Sequence, residues 1–231
     1  MRFEDLNWMD VEAYLQHDDR VMLILGSTEQ HGYLSLATDT LIPQAIADAA
    51  GKKAGIPVVP PLPFGVSPGF EAFPGTISLS LRTYASLVEE IVRSLYHHGL
   101  CGLMVVIGHG GNFPVLPVLN QLANEMPGLR FGLHAWFEEP DVLAVAEKHH
   151  LKSDHANWSE AFSFTRVGEL PAGEKPPVLV PAMTPAAETR RLLGDGSFGG
   201  PYQADEGVMQ EMFEAAVSSL VEALDRLKRP A

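Results

Sequence analysis

The sequence predicts an α/β domain with a mainly parallel sheet covered on both faces by helices. Two observations carry this. Short, almost wholly aliphatic runs at 20–26 and 103–107 are too continuous for a half-exposed sheet and suit strands buried on both sides. Segments with helical apolar spacing alternate with such runs, which is the pattern of strand–helix–strand crossovers. The 231 residues fit one domain spanning 1–231, and neither an internal repeat nor a low-complexity linker interrupts them.

The elements follow in order. Residues 20–26 form a strand ending on glycine, and 40–53 a helix with Leu41, Ala45, Ile46 and Ala49 on one face. A second short strand is expected at 56–60. Four prolines and three glycines make 61–78 a long ordered loop. Ser80 caps a helix over 80–99 whose stripe is Leu87, Val88, Ile91 and Leu95. Residues 103–107 are the central strand. A helix is expected over 112–126, with Pro114 harmless in its opening turn. A strand at 129–136, a helix at 140–149 and a last long helix from about Asp205 to Lys228 complete the chain.

Composition narrows the function. Sixteen basic against 29 acidic side chains leave a formal charge of −13, and no basic cluster is present to meet phosphates, so nucleic-acid binding is not expected. The longest aliphatic run is far short of the roughly 20 residues of a membrane helix, and the first residues lack the apolar core of a signal peptide. A single cysteine excludes an intrachain disulfide framework and a multi-cysteine zinc site. The expectation is a soluble cytoplasmic enzyme or small-molecule binder.

Polar residues gather where parallel sheets bind ligands, just past the carboxyl ends of strands. The first strand leads into Gly26-Ser-Thr-Glu29-Gln-His31-Gly, with Asp39 ten residues after Glu29; the central strand leads into Gly108-His109-Gly-Gly-Asn112. A third cluster, Asp154-His155-Ala-Asn-Trp158-Ser-Glu160, lies further on. In extended backbone Glu29 and His31 share a face, as two ligands of one site must. Two imidazoles (His31, His109) and three carboxylates (Glu29, Asp39, Glu160) suit zinc, manganese or another first-row ion better than calcium. Three carboxylates and a shared hydroxide balance two divalent cations but not one. Trp136 and Trp158 flank the polar clusters, either as core or as substrate wall.

Four ordered segments resemble the creatininase (creatinine amidohydrolase) family. They are Gly26-Ser-x-Glu29-Gln-His31-Gly-x-Leu-x-Leu-x-Thr-Asp39, Phe73-Pro-Gly-Thr-Ile-Ser-Leu79, Gly108-His109-Gly-Gly-Asn112 and Gly199-Gly-Pro-Tyr-Gln-Ala-Asp-Glu-Gly207. The resemblance implies a single three-layer αβα domain with a dinuclear site hydrolysing C–N bonds of small or cyclic amides. It also implies a homo-oligomer, a hexamer built as a trimer of dimers. Carried onto this chain, Glu29, Asp39 and His109 hold one ion, and His31, Asp39 and a glutamate the other. The ions are zinc and/or manganese, with iron a further option.

The chain departs from creatininase where that second glutamate is expected, two residues after the histidine, because the position is Gly111. Glu160 is the replacement favoured here, with Glu138 and Glu139 as alternatives and a surface salt bridge as its ordinary reading. Of the relatives' His-Ala-Gly-Glu-x-Glu-Thr-Ser stretch, the chain keeps the first histidine, His155, and the later glutamate, Glu160. The expected chemistry is attack by a metal-activated hydroxide on a small amide substrate, with backbone N–H groups around Gly110, Gly111 and Asn112 near the oxyanion. His155 is the expected proton donor, with Asp154 or a neighbour fixing its tautomer. A metal-dependent peptidase, a formamide deformylase and a non-catalytic binding protein remain rival readings.

Overall fold

A computed structural model describes residues 1–228. Three parallel strands, β1 (Arg20–Leu25), β2 (Gly102–Ile107) and β3 (Arg130–Ala135), form the sheet in the order β1-β2-β3. The pairing is in register from Arg20 opposite Gly102 to Leu25 opposite Ile107, and from Gly102 opposite Arg130 to Ile107 opposite Ala135. Every residue of β1 and β2 is buried, which is why both read as unbroken aliphatic runs.

Alternate strand residues feed two cores. Met22, Ile24, Met104 and Val106 pack against α2 (Thr38–Ala54), α5 (Pro140–Lys148) and α7 (Glu206–Arg226). Val21, Leu23, Leu25, Leu103, Val105 and Ile107 pack against α3 (Leu81–His97) and α4 (Leu116–Glu125). These are the three expected layers. Ser80 caps α3 by accepting the Thr83 N–H, as its sequence position predicts.

Three local differences have physical causes. The strand expected at 56–60 is reduced to single bridges, Arg2 and Met22 to Val58 and Leu25 to Leu62. Pro57, Pro60, Pro61 and Pro63 remove the N–H groups a continuous ladder needs. The helix expected over 112–126 opens as a 3₁₀ turn over Gly110–Val115, and α-helix begins only at Leu116. Prolines at 114 and 117 account for this late start. Two helices that the apolar pattern does not signal are α1 (Trp8–Tyr14) and α6 (Ala186–Leu193). The first is set by an Asn7–Asp10 capping box and buries no residue.

The fold places one helix start between two strand ends. A Cβ at Gly108 would overlap the Asp39 carbonyl oxygen, and one at Gly26 would stand 2.9 Å from that same atom. Glycine at both positions lets the first turn of α2 lie against the ends of β1 and β2, carrying Asp39 into the site.

Candidate metal centre

The polar residues of the two loops converge at the carboxyl edge of the sheet. His31 Nε2 lies 2.9 Å from Asp39 Oδ1 and 3.8 Å from Glu160 Oε1. His109 Nδ1 lies 3.0 Å from Asp39 Oδ2 and 3.4 Å from Glu29 Oε1. Two of the three candidate ligand triads share Asp39, Glu29–Asp39–His109 and His31–Asp39–Glu160, each with its ligand atoms within 4.8 Å of one another. Asp39 belongs to both, one oxygen toward each imidazole, so the structure brings together the five residues singled out as ligands.

Three of the converging atoms have no hydrogen-bond partner within the protein among the described residues. Both carboxylate oxygens of Glu29 and Nε2 of His31 are buried and make no hydrogen bond, although His31 Nε2 is close to Asp39; the contact lacks hydrogen-bond geometry. Buried polar groups normally find partners, and buried carboxylates are paired or coordinate cations. The imidazoles are also turned. His31 Nδ1 hydrogen-bonds the Glu29 carbonyl at 3.2 Å, which leaves Nε2 toward Asp39 and Glu160. His109 Nε2 faces the Val66 carbonyl at 3.0 Å and Ser67 Oγ at 3.2 Å, which leaves Nδ1 for the cluster. Such outer partners fix ring orientation at metal sites. Ser27 Oγ donates to Asp39 Oδ2 at 2.8 Å.

The electrostatics favour positive charge here. Burial opposes protonation of His31, yet Asp39 and Glu160 hold its pKa well above the ordinary value. Burial likewise opposes a charge on His109, but Asp39 and Glu29 raise it to about 10. Burial disfavours an ionised Asp39, while His31 and His109 hold its carboxyl below the usual range. The residues therefore fit divalent cations by donor type, by convergence and by field.

A cavity of about 400 Å³ opens over the cluster, lined by Glu29, Asp39, His109 and Glu160 at its floor and by His155, Phe70, Trp136, Phe137 and Phe198 on its walls. Gly110, Gly111 and Asp154 also line it. Phe70 stacks on His155 with ring centroids 4.8 Å apart, and Phe198 meets His155 edge-on.

Several sequence expectations are corrected. Trp158 is fully buried in the core and donates its indole N–H to the Lys152 carbonyl at 2.9 Å, so it is no substrate wall. Asn112 is also fully buried; its amide donates to Leu25 and Gly26 carbonyls and accepts the Val66 N–H, while its own N–H is taken by the His109 carbonyl. It ties the loops together rather than facing substrate. Asp154 accepts the His155 main-chain N–H at 2.9 Å, and the atom held against the His155 ring is instead on Gln30, 2.9 Å from Nε2. Glu138 is exposed and Glu139 lies 3.9 Å from His134 Nε2, and neither belongs to a ligand triad among the described residues. Trp136 does line the cavity, and its buried indole N–H has no partner.

Sequence reasoning missed Ser27, Gln30, Ser67, Phe70, Phe137 and Phe198. Gln30 stood inside the first motif and was legible as a polar residue on the face opposite Glu29 and His31. No local signal marks Phe70 or Phe198, which reach the cavity from loops far apart in the chain.

A parallel sheet whose strand ends converge paired carboxylates and imidazoles on one cavity defines a domain built to hold divalent cations. The family model described as creatininase (creatinine amidohydrolase) matches residues 4–224, and the chain belongs to that family. It is 34% identical over 115 residues to creatinine amidohydrolase of Pseudomonas putida, covering 47% of this chain and 44% of that protein. It is 39% identical over 103 residues to the mycofactocin precursor peptide peptidase of Mycolicibacterium smegmatis, covering 42% of this chain and 41% of that one. The matched stretches thus span less than half the length of these curated relatives. Solved structures of a manganese creatininase and of a zinc–zinc creatininase variant superpose with TM-scores of 0.84 and 0.85. Both are 22% identical and cover 99% of this chain, and 99% and 98% of their own.

Proposed function

We propose that this protein is a dinuclear metal-dependent amidohydrolase that cleaves a C–N bond of a small or cyclic amide. The observation that supports it best is the pair of ligand triads sharing Asp39 at the floor of one cavity. Glu29, Asp39 and His109 would hold one ion, and His31, Asp39 and Glu160 the other. Bound there, zinc or manganese supplies polarisation of a carbonyl and activation of water near neutral pH.

The chain's own residues do the rest. Phe70, Phe198, Phe137 and Trp136 wall a small cavity at the lower end of the range for small-molecule sites, about 300–1,000 Å³, and give it an apolar side above the polar cluster. Trp136 lines the cavity, and its buried indole N–H makes no hydrogen bond among the described residues. His155 lies beside the ligand cluster, its Nδ1 3.9 Å from Glu29 Oε1, in reach of a departing nitrogen. Burial and the neighbouring His31 keep its pKa below the ordinary value.

Elemental analysis of metal-loaded protein should find about two specifically bound divalent ions per chain; one or fewer would remove the dinuclear reading. A screen of cyclic amides, formamides and short peptides with zinc or manganese should give turnover on the small amides. Preferential turnover of the peptides would move the assignment to the second reading, which the 39% identity to a peptidase favours.

A homo-oligomer, a hexamer by family resemblance, belongs to the same proposal. β3 is an edge strand and leaves Leu133 45% exposed, an apolar position that a partner subunit would cover. Light scattering should report an assembly larger than a monomer across a wide concentration range; a monomer throughout rejects it. Among the described residues, no helix is long and apolar enough to cross a membrane.

A further inference from the structure

His155 presents two chemical options to the cluster. Its ligand-forming atoms lie within 4.8 Å of those of Glu29 and His31, so by distance it is a third candidate ligand. A ligand needs a lone pair on the nitrogen that faces the ion, whereas a hydrogen-bond donor needs a proton there. The tautomer therefore decides between the two roles, and the atoms around Nε2 decide the tautomer.

Two groups of Gln30 meet His155 Nε2, the side-chain amide nitrogen at 2.9 Å and the main-chain carbonyl oxygen at 3.1 Å. The orientation of the amide is pinned independently. Its Oε1 accepts the Gly32 N–H at 3.1 Å, and its Nε2 donates to the Gly196 carbonyl at 3.0 Å. Exchanging the two amide atoms would oppose two donors at Gly32 and two acceptors at Gly196. The amide therefore offers its second N–H to the imidazole. A proton on His155 Nε2 would set two donors 2.9 Å apart, whereas a lone pair there accepts the amide N–H. The opposite ring nitrogen agrees: Nδ1 lies 3.9 Å from Glu29 Oε1, which has no hydrogen-bond partner, and the carboxylate favours an N–H on that side. The Gln30 carbonyl opposes this arrangement at the longer distance.

We infer that Gln30 is a positioning residue that holds His155 in the Nδ1–H tautomer, making it a donor toward the cavity and excluding it from metal coordination. The consequence for hydrolysis rests on the reading above, but the tautomer does not. Without Gln30, His155 could turn its Nδ1 lone pair to a cation beside Glu29 and His31 and be lost as a donor.

The test is ¹⁵N NMR of histidine-labelled protein, with the His155 signals assigned by comparison with His155→Gln. Metal-free protein should show Nδ1 protonated and Nε2 unprotonated, and addition of zinc should leave Nδ1 protonated. In Gln30→Leu, which removes the amide and keeps the bulk, the preference should be lost and zinc should shift Nδ1. In Gln30→Glu, a carboxylate beside Nε2 should draw the proton to Nε2, so the inference stays testable if the leucine variant does not fold. With a hydrolysable amide, both variants should lower kcat by about 10- to 100-fold, the usual cost of losing an outer-shell partner, with KM little changed. An unprotonated Nδ1 in the unaltered protein, direct zinc coordination there, or an unchanged tautomer in both variants overturns the inference. Absence of turnover in every form would refute the hydrolase reading and leave the NMR result standing.

Discussion

Asp39→Ala should strip both metal ions and lower turnover by about 10³-fold or more, at least the loss seen when one strong electrostatic group is removed from a buried site. The expectation follows from its two oxygens, one 2.9 Å from His31 Nε2 and the other 3.0 Å from His109 Nδ1. No other residue belongs to both the Glu29–His109 and the His31–Glu160 triads. Removing it leaves two protein ligands on each side, fewer than the three that hold a catalytic zinc. The fold should survive, because alanine suits the first turn of α2 and the two imidazoles, no longer held charged by Asp39, can rest neutral. Asp39→Asn separates packing from charge: it can still accept from Ser27, but it cannot neutralise two cations. Elemental analysis and circular dichroism of both variants check the result. Two retained ions with near-normal turnover in Asp39→Ala would end the bridging role.

Glu160→Gln should empty the His31 side selectively, leaving about one ion per chain, and lower turnover by roughly two orders of magnitude or more. Its Oε1 faces His31 Nε2 at 3.8 Å while Oε2 accepts the Ala156 N–H at 2.6 Å. Glutamine keeps an acceptor for that N–H, so the loop carrying His155 should hold its place. The Glu29–Asp39–His109 triad is untouched and should stay occupied. A metal-loaded crystal structure of the variant reads this directly. Full occupancy of both positions, or a carboxylate turned away from both ions in the unaltered protein, would defeat the assignment.

Restoring a glutamate at position 111 in that variant should not recover the second ion. The sequence leaves room for such a rescue if the loop tolerates a side chain, but the structure removes that room. A Cβ on Gly111 would overlap the Val66 carbonyl oxygen and the His109 ring, the pair whose hydrogen bond turns His109 toward the cluster. Adding Gly111→Glu to Glu160→Gln should therefore disturb the His109 side as well, and recovery of two ions would show that the loop yields.

Much of the framework was legible along the chain because its causes are local. Continuous aliphatic runs marked β1 and β2, since strands buried on both faces have no polar alternation to show. Glu29 and His31 shared a face because side chains in extended backbone repeat every two residues, and His109 followed a strand end where parallel sheets bind ligands. The strand expected at 56–60 was partly misread because the apolar pattern survives where the prolines break the hydrogen-bond ladder.

The choice among equivalent residues belonged to the tertiary structure. Glu160, Glu138 and Glu139 carry the same group near the same cluster in sequence, but Glu160 alone among them lies in a ligand triad with Asp39 and His31. Trp136 and Trp158 were interchangeable as walls until packing placed both in one core and let only Trp136 reach the cavity. Phe70, Phe198 and the Gln30 amide met His155 across more than forty residues of intervening chain in each case. Sequence pattern determines local backbone and the face on which a side chain starts. Which side chains finally share a cavity depends on how distant loops pack over the sheet, and a single chain carries no local mark of that.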